Sequence, residues 1–369
     1  MQYASHSVIG MRQTNEDTEI NVSIQIFDYK LVILAVFDGH AGNEASIFAK
    51  ENFINVFTDQ FMKLKNVPTA LNNTFIQLDT DFCKISKVAG TTAAVCVYDL
   101  TTNQVFTAHA GDSRVLLKTD VLVQTSDHKP LLFSERQRLE KCGAFVIEVC
   151  GVGRVNGALA VSRAIGDSDF KQFGVTGKPE VQIFDNSRPK WILVACDGLF
   201  DVFSSEDVDL IVEHLLLQAE LPTGLQQIFN KTKFFGQPKG QIATPAGICA
   251  VLTEMALQKG STDNVSVVIF INSDVDNFTQ MKAQSLSMSE IRDSQGNFVV
   301  QIAIMLLILG VQLMFMLVFK KKESKTLILS GMVVGISLVM HFKLKLQQAR
   351  KAIKELETKV KRLVSERME

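Results

Sequence analysis

Hydrophobic and polar positions divide the chain into two regimes. Up to about residue 272, short runs rich in Val, Ile and Thr end in turn residues, as strands do. They are "LVILAVFD", "TTAAVCVYDL", "QVFTAHAG", "RVLLKT", "WILVACDG" and "NVSVVIFI". Between them, "GNEASIFAKENFINVFTDQFMK", "SERQRLEKCG" and "SSEDVDLIVEHLLLQAE" carry apolar residues three and four apart, the spacing of one helix face. The last opens with Ser204-Ser205-Glu206-Asp207, good N-cap and first-turn chemistry. The runs at 93–99 and 104–109 are close enough for a hairpin. The pattern predicts an α+β domain over 1–272, with antiparallel sheets and helices outside them, and not a doubly wound parallel sheet.

Beyond 272 the pattern changes. Residues 273–297 are polar without a sustained period and read as a linker. Residues 298–319, "FVVQIAIMLLILGVQLMFMLVF", run for 22 positions without a charge, enough to cross a bilayer of about 30 Å as a helix. After "KKKESK", residues 326–342 form a shorter apolar run, a second crossing or the return arm of a hairpin. A buried soluble hairpin is the alternative for both. In the tail, 343–369, Leu346, Ala349, Ile353, Leu356, Val360 and Leu363 form a short heptad seam. It suits coiled-coil self-association through 346–363, or an anionic bilayer surface.

Charge sharpens this division. Of 38 basic and 39 acidic residues, 13 and 5 fall in 320–369, so the first 319 residues carry a net charge of minus nine. An acidic body argues against nucleic acid, and a basic tail argues for an anionic neighbour. Six scattered cysteines show neither zinc-ligand spacing nor a disulfide framework, which predicts reduced thiols. "MQYASHSVIG" lacks the basic start and apolar run of a cleaved secretory signal.

Acidic residues recur where predicted strands stop. Asp38 follows "LVILAVF", and Gly39 and His40 come next. Glu16 and Asp17 follow Arg12 by four and five positions; Asp112 follows a strand and a glycine. Asp197-Gly198 repeats the first theme, with Asp201 beyond it, and Asp263-Asn264 precedes the last strand. One such carboxylate makes a turn. Several at strand ends make a candidate cage for hard divalent cations, because Mg²⁺ and Mn²⁺ take oxygen ligands and keep several waters. Glycine beside aspartate would let a carbonyl or a water approach the metal. His109, His128 and His214 read as packed or solvated residues.

Eight ordered blocks, "GMRQTNED", "VFDGHAG", "AGTTAAV", "AHAGDSRVLL", "SDHKP", "GRVNGALAVSRAIGD", "VACDGLFDV" and "STDNVSVVIF", resemble the metal-dependent protein serine/threonine phosphatases of the type 2C family. The resemblance runs from about Ser7 to Ile271. It implies a four-layer α-β-β-α sandwich and hydrolysis of phosphoserine and phosphothreonine in proteins by a water bridging two Mg²⁺ or Mn²⁺ ions. By resemblance Asp38 bridges the metals, with the Gly39 carbonyl beside it. Asp197 and Asp263 complete the shell of the second metal, and Glu16 and Asp17 hold metal-bound waters. Arg12 binds phosphate, His40 is the general acid, and Asp112 with Asp197 and Asp201 forms a weaker third metal site. Asn264 either supports the metal shell or caps the turn before the following strand.

No metal-site position departs from the family pattern. The segment between Phe170 and Trp191, where the family is expected to carry its flap, is short, and 228–248 reads as an extra loop. The rival reading is a catalytically silent membrane scaffold that uses the phosphatase fold to bind partners. The intact acidic set favours the enzyme. The expected location is a membrane, with the catalytic domain and basic tail facing the cytosol. A sequon at Asn264-Val265-Ser266, inside the proposed metal loop, also fits that compartment.

Overall fold

The computed structural model describes residues 2–185 and 188–272. The strands in chain order are β1 (Tyr3–Val8), β2 (Thr18–Ile26), β3 (Tyr29–Phe37), β4 (Gly39–His40), β5 (Gly90–Thr91), β6 (Ala93–Asp99), β7 (Gln104–Ala110), β8 (Arg114–Lys118) and β9 (Leu122–Gln124). They continue with β10 (Val146–Val149), β11 (Val152–Val155), β12 (Ile165–Gly166), β13 (Glu180–Phe184), β14 (Trp191–Ala195) and β15 (Val265–Ile271). The helices are α1 (Glu44–Leu64), α2 (Val67–Phe82), α3 (Phe133–Lys141), α4 (Asp197–Phe200), α5 (Ser205–Leu217), α6 (Thr223–Phe229), α7 (Lys239–Ile242) and α8 (Pro245–Gln258).

Two five-stranded sheets, in the orders β1-β15-β14-β8-β9 and β13-β7-β6-β3-β2, pair antiparallel throughout. Strand β3 shows why "LVILAVF" is continuously apolar and does not alternate. Leu31, Ile33, Ala35 and Phe37 pack with α1 and α2, whereas Val32, Leu34 and Val36 pack with Val194, Val268 and Phe270 of the other sheet. Both faces are buried, so both parities must be apolar. Outside the second sheet, Leu193, Ala195, Val265, Val267 and Ile269 meet Val208, Ile211, Val212, Leu252 and Met255 of α5 and α8. The layers are therefore helix, sheet, sheet, helix.

Local signals explain the helices. Phe53, Phe57 and Phe61 of α1 lie one turn apart, their rings stacked at 6.1 and 6.0 Å, and Phe75 of α2 meets Phe53 edge-on. Ser204 caps α5 in a reciprocal capping box with Asp207, as its sequence predicts. Helix α2 is capped by Asn66, which accepts from Thr69 N–H.

After a 3₁₀ turn (Ser168–Phe173), the short stretch before Trp191 forms β13, which pairs with β7 at the sheet edge. The two-stranded hairpin β10–β11 lies outside both sheets. Along it Phe145, Ile147, Val149 and Val152 are exposed. Residues 228–248 are not a bare loop, since they contain α7 and the first turn of α8. Among the described residues no helix is long and apolar enough to cross a membrane. The predicted linker, both apolar segments and the heptad tail lie outside the described residues.

Candidate metal centre

Strand register alone brings the acidic residues to one end of the sandwich. Thr18 pairs with Phe37, so Asp17 and Asp38 leave adjacent strands side by side. Val36 pairs with Ala94, and Ala93 with Ala110, which puts the β7–β8 corner carrying Asp112 at that same edge. In the second sheet Ala195 pairs with both Val267 and Arg114, so Asp197, Asp263 and Asp112 follow or precede neighbouring strand ends. The residues come from five separate stretches, yet the ladder fixes their meeting point.

Their electrostatics fit a cation. Burial, then Asp17, Asp197, Asp112 and Asp263, hold the Asp38 carboxyl well above its ordinary range. Burial and then Asp112, Asp201 and Asp263 do the same to Asp197. Asp17 and Asp112 are pushed up to about 6, chiefly by burial. Asp201, at the exposed rim, is also raised, by burial first and then by Asp263 and Asp127 against the pull of Lys129. Carboxylates so placed repel one another; Arg12 beside Asp263 and Lys129 near Asp112 offset part of that charge, and a hard divalent ion would balance more of it. Asp17 Oδ2 is buried with no hydrogen-bond partner, and ligand atoms of Asp17, Asp38 and Cys196 lie within 4.8 Å of one another. Cys196 is a wall and not a ligand of this set: its thiol is pushed well up by burial, donates to Asn264 O and accepts from Ser266 N–H.

The loop carrying Arg12, Glu16 and Asp17 is clipped to the last strand. Asn264 Oδ1 accepts from Glu16 N–H at 2.9 Å, while its Nδ2 donates to Ile9 O and Thr14 O at 2.8 and 3.0 Å. The Asn264 side chain therefore holds the Glu16 loop and does not cap its own turn. Arg12 Nη2 donates to Asp263 Oδ2 at 2.6 Å from an exposed position. Gly39 N donates to Glu16 O, and Ser46 Oγ donates to the same carbonyl. A Cβ on Gly39 would strike Glu16 O, and one on Gly198 would strike Asn264 O. Glycine follows each aspartate because another loop's backbone presses on it, a more local reason than room for a metal.

His40 lies in this end of the fold but bonds away from the acidic set. Its Nε2 contacts both oxygens of Asp167, at 2.8 and 3.0 Å. Three other residues support the site without having drawn attention in the sequence. Lys129 Nζ lies 3.7 Å from Asp112, and its ammonium, though burial opposes it, is held charged by Asp112, Asp127 and Asp201. Arg114 grips Asp127 with two bonds of 2.9 and 2.8 Å and lies over the Phe200 ring. Lys129, Asp127 and Arg114 all sit in the blocks "SDHKP" and "AHAGDSRVLL", where the adjacent aspartate was the only feature that carried a spacing argument.

His109 and His128, both buried, and the half-buried Glu180 offer ligand atoms within 4.8 Å of one another. Its two imidazoles stack at 4.3 Å with 9° between their planes, so their in-plane lone pairs cannot converge on one ion. His109 Nε2 donates to Ser126 O, and burial lowers both rings' affinity for protons. His214 Nδ1 donates to Ala219 O and its ring meets the Phe229 edge. All three are packed residues, as their sequence context predicts.

A family model described as "Protein phosphatase 2C" matches residues 1–265. The chain is 34% identical over 259 residues to the integrin-linked kinase-associated serine/threonine phosphatase 2C of Homo sapiens, covering 64% of this chain and 61% of that protein. It therefore spans less than two thirds of that relative. Probable protein phosphatase 2C 6 of Paramecium tetraurelia is 30% identical over 236 residues, covering 56% of this chain and 77% of its own length. Among solved structures, a C. elegans sex determining protein superposes with a TM-score of 0.61 at 25% identity, over 73% of this chain and 64% of that one. The serine-threonine phosphatase 2C of Toxoplasma gondii gives 0.54 at 21% identity, over 73% and 94%, a likeness of fold. The ordered blocks, the paired antiparallel sheets and these matches agree: the chain belongs to the protein phosphatase 2C family of serine/threonine phosphatases.

Proposed function

We propose that this chain hydrolyses phosphoserine and phosphothreonine in proteins with the help of Mg²⁺ or Mn²⁺, from a membrane-tethered position. The observation that supports it most is the meeting of Asp17, Asp38, Asp112, Asp197 and Asp263 at one end of the sandwich, where burial first and then neighbouring charges raise Asp17, Asp38, Asp112 and Asp197. Asp38, Asp197 and Asp263, with the Gly39 carbonyl, would hold two cations. Glu16 and Asp17 would orient their waters, and Asp112 with Asp201 would offer a weaker third position. Bound there, such ions supply charge neutralisation and an activated water for in-line displacement. Arg12 would hold the phosphoryl oxygens: its planar fork has five N–H donors, of which Asp263 engages the Nη2 group. His40 would protonate the departing seryl or threonyl oxygen.

The test is turnover of a phosphopeptide by the full-length protein with added Mg²⁺ or Mn²⁺, and its loss with a chelator. Cation binding without turnover would favour the silent scaffold instead.

Tethering rests on the sequence: the 22 uncharged residues of 298–319, the apolar 326–342 and the basic tail. A C-terminal hairpin anchor would leave both the catalytic domain and the tail in the cytosol. Protease treatment of sealed membranes with an epitope at each end tests this. Protection of either epitope contradicts the topology, and extraction by carbonate contradicts the anchor.

A further inference from the structure

His40 and Asp167 are 127 residues apart in sequence, and a sheet of three short strands brings them together. In the order β12-β5-β4, His40 and Gly166 both pair with Gly90, one from each side. Strands flanking a common neighbour lie about 9–10 Å apart, twice the usual spacing. Side chains from the two can meet only by passing over the middle strand. Gly90 is that middle residue. A Cβ there would collide with the Asp167 carboxylate and lie 2.5 Å from His40 Nε2.

Asp167 is shaped for the same encounter. After Gly166, a regular strand would send its side chain to the opposite face. Its φ of 51° is left-handed, which breaks that alternation, while its N–H still donates to Ala89 O at 3.0 Å. The residue is 1% exposed, and both of its carboxylate oxygens lie within 3.0 Å of His40 Nε2. A carboxylate only accepts, so Nε2 carries the hydrogen in this pair. The other ring nitrogen, Nδ1, is then the one free to act on substrate.

We propose that Asp167 is the positioning residue for His40, tying Nε2 in place so that Nδ1 delivers the proton to the leaving oxygen; this rests on His40 being the general acid. As water oxygen bonds to phosphorus and the old P–O bond breaks, that bond's electron pair stays on the seryl or threonyl oxygen. The acid is the imidazolium, hydrogenated on both nitrogens: its Nδ1 proton completes the alcohol, both water protons leave with the inorganic phosphate, and the neutral ring keeps Nε2–H on Asp167. Gly90 contributes by having no side chain.

The experiment compares a phosphoseryl peptide with 4-nitrophenyl phosphate, whose leaving group departs without a proton, on the Mg²⁺-loaded full-length protein. Asp167→Asn keeps a side chain that tolerates left-handed backbone, and Gly90→Ala keeps both partners but separates them. Each is expected to lower kcat for the peptide at least tenfold more than kcat for the aryl ester, within the 10²–10⁴-fold range of general acid catalysis. Adding either change to His40→Ala should bring little further loss. Histidine ¹⁵N spectra of the wild-type protein should show the neutral His40 ring hydrogenated at Nε2, and a mixed tautomer in Asp167→Asn. Equal losses on both substrates, or an Nδ1-hydrogenated ring in the wild type, would overturn the proposal. If His40→Ala itself shows no leaving-group dependence, the assignment of His40 fails, a result separate from discrimination by His40→Ala that Asp167→Asn does not share.

Discussion

Arg12 Nη2 donates to Asp263 Oδ2 at 2.6 Å across 251 residues of sequence, tying the proposed phosphate-binding residue to a proposed metal ligand. The pair lies at the rim, with 60% of the Arg12 side chain exposed, so it adds little to stability. Its consequence is geometric: the guanidinium is stationed beside Asp263 by one bond through Nη2, while a guanidinium has five N–H donors. Arg12→Ala should raise KM for a phosphopeptide by about tenfold or more while lowering kcat less. Arg12→Lys should recover only part of that loss, because an ammonium lacks the fork. Steady-state kinetics on both variants check this, and a loss confined to kcat would count against phosphate binding.

Asn264 makes three bonds to residues 9, 14 and 16 from a site only 5% exposed. Asn264→Ala leaves those backbone groups without partners and should cost about 2–4 kcal/mol. Because the loop it holds carries Glu16 and Asp17, the Mg²⁺ concentration for half-maximal activity should also rise. Chemical denaturation and a Mg²⁺ titration measure the two effects separately.

Burial and crowding raise Asp17 and Asp112 to about 6 in the metal-free protein. An unfolded aspartate titrates near about 3.9. Between those values the folded state binds more protons than the unfolded one, so stability falls as pH rises. The metal-free protein should therefore lose stability from about pH 4 to pH 7, by an amount on the order of 1–3 kcal/mol per group. Saturating Mg²⁺ favours the ionised carboxylates and should remove or reverse the trend. Thermal melts of the full-length protein in mild detergent, with chelator and with Mg²⁺, follow it across that window.

The sandwich was legible because its strands are apolar runs with turn residues at their ends, and because the helices of 44–64 and 205–217 keep a clear period. Helix α2 was not, since "NVPTALNNTFIQLDTDF" mixes Asn, Thr and Asp with its apolar face and needs the Asn66 cap and Phe75 packing to declare itself. The strand-end carboxylates were also legible, as aspartates beside glycines at the ends of apolar runs. Asp167 was not: "AIGD" looks like one more turn, and its partner lies 127 residues away. Only the pairing of β12, β5 and β4 reveals it. The reason for Gly39 and Gly198 stayed equally hidden, because the carbonyls they accommodate belong to residues 16 and 264.

The central claim is that these carboxylates form a cation-dependent phosphoester-hydrolysing centre, with Asp38 at its middle. The most direct test measures phosphate release from a phosphoseryl peptide by wild-type and Asp38→Asn full-length protein, titrated with Mn²⁺ or Mg²⁺ and then with chelator. Wild type should be inactive without cation and active with it, while Asp38→Asn should lose at least about a hundredfold in kcat. The variant's metal-free form should melt no lower than wild type, because a carboxyl crowded by Asp17, Asp197, Asp112 and Asp263 is replaced by a neutral amide. Turnover that survives the chelator, or an Asp38→Asn protein as active as wild type, would contradict it.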